Sequence, residues 1–435
     1  MSTAADQTRP LYGWYGDDFT GATDTLSTWA EQGYRALLFL KMPTAEQLQA
    51  AGPLDAIGIA GATRSMAPET ASHELEIAAQ FFVAQGVDIL HYKCCSTFDS
   101  APHVGSIGEA IRTLRRHFPN PFVPIVGGQP NLGRYCLFGN LFAVAGTGST
   151  VYRIDRHPTM SVHPVTPMTE ADLRKHLAAQ GVERIGLIDY RSYEADAVDA
   201  ELEASLKNNA DASLFDVSRV ADLAVIGRLI NSQKRAGPML AVGPSSVAQA
   251  LTAASDRKAK TTSRTAAPQH KGPVLALVGS LSPVTRAQVE AAQGYEKLNV
   301  DPRKLIEQPD YREAIKQQTL RLLAAGDVML VTERPDGAPQ QAEQTAMATG
   351  QLLRAIMQDA TVSRLVVAGG DTSSHAIAAL DIWGLSYRGP MVPGAPLCRV
   401  HSADPKLDGI DIVLKGGQMG SVTFFENVSG AHRLR

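Results

Sequence analysis

Residues 11–25, LYGWYGDDFTGATDT, read as a strand, a turn and the start of a helix. Tyr12 to Tyr15 carry the strand, Gly16 lets the chain turn, and Asp17 and Asp18 are expected to face whatever fills the space above that turn. Gly21 permits close packing of the helix, and Asp18 or Thr20 is suited to cap it. Capping accounts for one acid but not for two. Adjacent like charges repel unless a cation or a substrate hydroxyl relieves them, so one acid is expected to be a general base or a hydroxyl ligand.

Working outward, the short apolar runs ALLFL (36–40), DAIGIAG (55–61), VDILHY (87–92) and PFVPIVGG (121–128) alternate with segments of helical period at 68–85 and 104–117. That alternation predicts strands buried on both faces of a mostly parallel sheet, an α/β fold. A second set follows: VLALVGS (274–280), VMLVT (328–332), RLVVAGGD (364–371) and GIDIVLKGG (409–417). Between the sets, TAASDRKAKTTSRTAAPQHKGP (252–273) replaces hydrophobic periodicity with small, polar and basic residues, as a linker does. The expectation is an amino-terminal α/β domain over 1–251, a linker over 252–273, a carboxyl-terminal α/β domain over 274–435, and a cleft between the domains. A chain of 435 residues, 44% hydrophobic, is long enough for two cores.

Charge and composition narrow the partners. Lys and Arg total 41 against 44 Asp and Glu, so no broad positive field recruits nucleic acid or anionic lipid, and a small molecule is the default partner. The start, MSTAADQTRP, lacks a basic and then apolar leader, and no apolar run approaches the ~20 residues of a membrane span, so a cytoplasmic location is expected. Cysteines at 94, 95, 136 and 398 have neither zinc-site spacing nor the density of a disulfide framework, and are expected to be thiols, with no protein-held metal.

Three glycine-bearing turns mark the second half. VVAGGDTSSHAIAALDIWG (366–384) reads as strand, turn and helix, with Gly369 and Gly370 giving a ligand access to backbone amides and Thr372 or Ser373 capping the helix. LKGGQMGS (414–421) sets Lys415 beside Gly416 and Gly417, and LVGSLSPVTRAQ (277–288) offers Gly279, Ser280 and Ser282. Any one of them is commonly just a tight connection. Three at the carboxyl ends of strands in one domain point to a phosphate-bearing nucleotide, because helix N-termini and glycine amides present unpaired N–H groups there. No GxxxxGK[ST] loop occurs, and no GxGxxG follows the early strands, which counts against a P-loop kinase and an ordinary dehydrogenase.

In the first half, GATRSM (61–66) places Arg64 after the third strand, and HYKCCSTFDS (91–100) places Lys93, Ser96 and Thr97 after the fourth. Solvated surface charge is the bland account of each cation alone. Together, Arg64 and Lys93 suit a carboxylate while Asp17 and Asp18 suit hydroxyls, the wall of a polyhydroxy-acid site. His91 is expected to be packed rather than metal-bound. DRHPTMSVHPVTPM (155–168), with His157 and His163, has no regular period and reads as a loop beside the cleft.

In order along the chain, DDFTGATDT, TRSM, YKCCST, GRYCLFG around Gly133 and Arg134, HPVTPM, GSLSPVTRAQ, GGDTS, PGAPL and LKGGQMG resemble the four-carbon acid sugar kinase family. The resemblance implies an amino-terminal domain for the sugar acid and a carboxyl-terminal domain for ATP with Mg2+. It also implies substrate contacts from Asp17, Arg64, Lys93, Ser96 and Thr97. Nucleotide contacts would come from Ser280, from Gly369 through Gly370 and Asp371 to Thr372, and from Gly417, beside the Lys415 and Gly416 already named. A homodimer is left open.

The chain departs from the family where members commonly read Asp-Ser-Arg and it has Ala62-Thr63-Arg64, and where they read Lys-x-Asp-Ser-Thr-Leu-Arg-Gly and it has Lys93-Cys94-Cys95-Ser96-Thr97-Phe98-Asp99-Ser100. Losing carboxylate acceptors changes which hydroxyls a site rewards. The expected substrate is a four-carbon acid sugar such as threonate or erythronate or, as these departures suggest for a divergent branch, a related branched or oxidised acid such as 3-oxo-isoapionate. Two other classes remain to be set against this one: an NAD(P)-linked oxidoreductase, opposed by the missing dinucleotide fingerprint, and a non-catalytic two-lobed binding protein, opposed by the missing export signal.

Overall fold

The computed structural model of the protein describes residues 10–255 except 147, 164, 195 and 196, then 257, 271–279, 282–332 and 339–430, with backbone alone at 339–343, 370–373 and 375. The chain divides into two compact units, Met1–Thr261 and Thr262–Arg435. Each is α/β.

The first unit contains β1 (Tyr12–Gly16), β2 (Ala36–Phe39), β3 (Ala56–Ala60), β4 (Ile89–Lys93), β5 (Pro124–Val126), β6 (Arg134–Leu137), β7 (Asn140–Val144), β8 (Val151–Arg153), β9 (Ile185–Ile188), β10 (Ala212–Phe215) and β11 (Met239–Gly243). Its main sheet runs β2-β3-β1-β4-β11-β5-β10-β9, every pair parallel. β6, β7 and β8 form a small antiparallel sheet. β9, β10 and β11 add to the expected strands; they are apolar runs of four or five residues, too short for periodicity alone to distinguish from buried helix.

Neighbouring residues of β1 show why both faces are covered. A Cβ on Gly13 would fall 2.6 Å from the Phe82 ring, so the Pro68–Gln85 helix rests directly on that face. Trp14 points the other way and donates through Nε1 to the Ala22 carbonyl of the Phe19–Glu31 helix, at 3.3 Å. Strand alternation therefore presents one residue to each helical layer. Trp14, Leu75, Phe82 and Leu90 are fully buried.

The second unit contains β12 (Val274–Val278), β13 (Tyr295–Val300), β14 (Asp327–Thr332), β15 (Arg364–Ala368), β16 (Ile382–Val392), β17 (Ala395–Ser402) and β18 (Asp411–Lys415). The order is β13-β14-β12-β15-β18-β17-β16, parallel as far as β18 and antiparallel through β17 and β16. Val274, Ala276 and Val278 share a core with Val366, Val413, Phe424 and Phe425.

The stretch expected as a linker begins inside regular structure, because Thr252 and Ala253 still close the Ser246–Ala253 helix. Small polar residues finish a helix as readily as they form a tether, so composition alone sets that boundary early. Residues 256 and 258–270 of the expected linker lie outside the described residues.

Candidate functional site

In register, Gly16 at the end of β1 pairs with Ala60 of β3 and with Lys93 of β4. The residues that follow these three strands therefore meet at one sheet edge. Backbone bonds join them: Asp17 N donates to Lys93 O at 2.9 Å and Arg64 N to Asp17 O at 3.2 Å. Asp17, Asp18, Arg64 and Lys93, far apart in sequence, are brought together by topology.

The acids share one guanidinium. Arg64 donates through Nε and Nη2 to the two oxygens of Asp17, at 3.1 and 2.8 Å, and through Nη1 to Asp18 Oδ2 at 3.1 Å. Asp18 Oδ1 accepts from Gly21 N at 2.9 Å, making Asp18 the N-cap of the Phe19–Glu31 helix. Thr20, the other candidate cap, is instead inside the first turn, its buried hydroxyl without a partner among the described residues. Asp18 both caps the helix and stands in the charged cluster. The Arg64 edge expected to grip a ligand's carboxylate in two parallel bonds faces Asp17 in this arrangement. A buried carboxylate next to a second one demands that counter-charge first.

Lys93 is 4% exposed. A Cβ on Gly21 would lie 2.3 Å from Lys93 Nζ and 2.4 Å from Asp18 Oδ1, so the glycine serves the approach of the ammonium to the helix start. Burial, only partly offset by Arg64, pushes the Asp17 carboxyl up from its ordinary value. Asp18 is buried too, yet Arg64, Lys93 and the Gly21 amide together hold its carboxyl below the usual range. Lys93, despite burial, is kept protonated by the two acids. The pair is thus split electrostatically, the more exposed acid being Asp18, at 16% of its side chain against 5% for Asp17.

The Thr97 hydroxyl lies between Cys95 Sγ at 2.9 Å and Asp99 Oδ1 at 2.5 Å, and Ser96 is buried next to it. Asp99, not singled out as a ligand from sequence, thereby joins the wall; its signal was its place two residues after Thr97. Burial raises the Cys94 and Cys95 thiols, so neither is a ready nucleophile. All four cysteines are free. His91 is a packed residue, Nε2 within 2.8 Å of the Gly243 carbonyl and its pKa pulled down to about 3 by burial. In the 155–168 stretch, the Nδ1 atoms of His157 and His163 accept from backbone amides of their own turns.

In the second unit, β12, β15 and β18 are adjacent, and the three glycine turns follow at their carboxyl ends. Gly279 N donates to Ala368 O at 2.9 Å and Gly369 N to Lys415 O at 2.8 Å, so the turns stand side by side. Gly369 has φ 128°, in the region glycine favours, and is the N-cap of the Gly370–Ala379 helix with no side-chain cap. Asp371 and Thr372 therefore lie in the first helical turn, and neither Thr372 nor Ser373 is the N-cap it was expected to be; among the described residues no side chain caps this helix start. Ser280 lies outside the described residues.

Lys415 is fully buried, its ammonium donating to Thr285 Oγ1 at 3.0 Å and to the carbonyls of Gly416 at 3.0 Å and Met419 at 3.3 Å. Burial holds its pKa down at about 7. Thr285 Oγ1 also donates to Gly417 O at 2.9 Å, and Gln288 Nε2 reaches the carbonyls of Met419, Gly420 and Ser421 at 2.8–3.1 Å. Lys415 thus fastens the Gly416–Gly417 turn from beneath, with Thr285 and Gln288 as helpers that glycine patterns do not reveal.

Residues 12–251 match the family model described as a sugar-binding N-terminal domain, and residues 275–425 the one described as a nucleotide-binding C-terminal domain. A Paraburkholderia graminis protein named 3-oxo-isoapionate kinase is 39% identical over 442 residues, covering 95% of this chain and 93% of its own. A Cupriavidus necator protein named 3-oxo-tetronate kinase is 31% identical over 438 residues, covering 96% of each. A Haemophilus influenzae protein of known crystal structure superposes with a TM-score of 0.71 at 27% identity, over 96% of this chain and 99% of its own.

Proposed function

Since the chain belongs to the four-carbon acid sugar kinase family, we propose that it is an ATP-dependent kinase that phosphorylates a hydroxyl of a small sugar acid, a 3-oxo acid of the isoapionate or tetronate type. The observation that carries the reading is the seating of Asp17, Asp18 and Lys93 at the ends of adjacent strands β1 and β4, with Arg64 from the turn after β3. The first unit is assigned the sugar acid and the second the nucleotide. These relatives do not favour the oxidoreductase and binding-protein readings.

Asp18 is the group assigned to the reacting hydroxyl. It is the more exposed acid, its carboxyl is held below the usual range, and its oxygens accept one bond each, from Gly21 N and Arg64 Nη1, whereas Asp17 gives both oxygens to Arg64. A carboxylate of low basicity suffices, because phosphoryl transfer draws mainly on positioning and charge neutralisation, with little need for a strong base. Arg64 holds the two acids, and Lys93 supplies positive charge at the same edge. The glycine turns suit a nucleotide: Gly369 is in a conformation open to glycine, and among the described residues no side chain caps the helix start at Gly370. ATP held there supplies the phosphoryl group, and Mg2+ is expected with it as the counter-ion of its phosphates.

The test is ADP release from ATP over a panel of C4 and C5 sugar acids, with 3-oxo and branched acids included. Turnover is expected with a 3-oxo acid, and Asp18→Asn should lower kcat by about 10²–10⁴-fold with KM for ATP preserved. No ADP release with any acid of the panel would remove the reading.

A further inference from the structure

Arg134 opens β6 just after Gly133, whose φ of 71° closes the Pro130–Leu132 turn. Its backbone pairs with Gln129 in both directions, at 2.9 and 3.2 Å. Gln129, 1% exposed, donates through Nε2 to Asp24 Oδ2 at 2.8 Å, on the helix that Asp18 caps. Arg134 is therefore tied to the same end of the sheet as the Asp17–Asp18–Lys93 cluster. Cys95, on the turn that follows β4, is near enough to Arg134, and to Arg64, Lys93 and Asp18, for their charges to bear on it.

What sets Arg134 apart is its lack of a carboxylate partner among the described residues. Nη1 donates to the Leu132 carbonyl, Nε is buried with no acceptor, and no carboxylate forms an ion pair with it among the described residues. Arg64, by contrast, has two protein carboxylates. Arg134 is half-buried with its Nε enclosed; a guanidinium cannot shed its proton to escape that burial, and a cation partly withdrawn from water without a counter-charge is costly. Such a group is best satisfied by an anion that arrives from outside, and two parallel N–H bonds match a carboxylate.

We infer that Arg134 binds the carboxylate of the sugar acid, the role that Arg64 is too committed to fill. Gly133 and the Gln129–Asp24 bond aim it, Lys93 adds charge, and Asp18 takes the hydroxyl to be phosphorylated. This assignment rests on the acid sugar kinase reading.

The experiment compares the full-length wild type with Arg134→Gln and Arg134→Lys, by calorimetric titration of the sugar acid without ATP and by steady-state ADP release. An uncharged lactone of the same acid is run alongside, with thermal melts as a check on folding. For Arg134→Gln, acid affinity should fall by 100-fold or more and preference for acid over lactone should vanish, while KM for ATP and the melting temperature hold. Arg134→Lys should recover part of that preference, which a merely structural arginine would not show. Unchanged acid affinity or an intact preference in Arg134→Gln would overturn the inference. Acid binding by the wild type without ADP release would instead remove the kinase reading and leave the Arg134 comparison to be judged on binding alone.

Discussion

Arg64 and Lys415 show how far a side chain's role depends on what it already holds. Arg64 neutralises the buried Asp17 and the half-buried Asp18, so Arg64→Ala should destabilise the fold by on the order of 3 kcal/mol at neutral pH, from the charges it strands. Urea unfolding should show much of that loss recovered in acid, where the carboxyls protonate; a loss independent of pH would mean that packing, not charge, was removed. For Lys415 the sign runs the other way. Its folded pKa of about 7 lies below the ordinary lysine value near ~10.4, so between these the unfolded chain binds the proton that the folded chain releases. Stability should rise with pH across that window, by up to ~1.4 kcal/mol per unit, and Lys415→Met should lose the rise. Urea titrations of both proteins at several pH values between about 7 and 10 measure it.

At the scale of elements, the start of the Phe19–Glu31 helix serves as cap and site at once. Asp18→Ser keeps an oxygen for the Gly21 amide but removes the charge, whereas Asp18→Ala removes both. Helix stability should differ between the two by about 1 kcal/mol in favour of serine, with turnover lost in both. If Asp18→Ser retained turnover, the acid would be a cap only. The turn after β18 is the corresponding element of the second unit. Gln288→Ala removes the Nε2 donor from the Gly420 and Ser421 carbonyls and leaves Met419 O to Lys415 alone, and nucleotide affinity should fall while sugar-acid affinity does not. Titrations with ADP and with the acid separately would show the split; an equal loss of both would refute it.

Across the whole molecule, each unit contributes mostly parallel strands, and the proposed function assigns one ligand to the strand ends of each. Hydrogen exchange should therefore resolve two footprints: the sugar acid slowing amides around 17–21, 64 and 93–100, and ADP slowing those around 369–372 and 416–421. Protection by ADP centred on the first unit would reverse the assignment of ligands to units. The α/β class and the strands closing on Asp17, Gly369 and Lys415 were legible in the chain, because five-residue apolar runs ending in glycine or acid leave a local imprint that needs no partner to be read. The cap at Asp18 was one of two local candidates, and only the folded helix start separated it from Thr20. What the linear order could not convey was saturation. Whether Arg64 or Arg134 has cation capacity to spare, and whether Lys415 faces a ligand or fastens a turn, depends on which distant carboxylates and carbonyls crowd around each nitrogen. Those neighbours are assembled only when parallel strands bring their ends together, since short-range bonding and desolvation act over a few ångströms of space and take no account of separation along the chain.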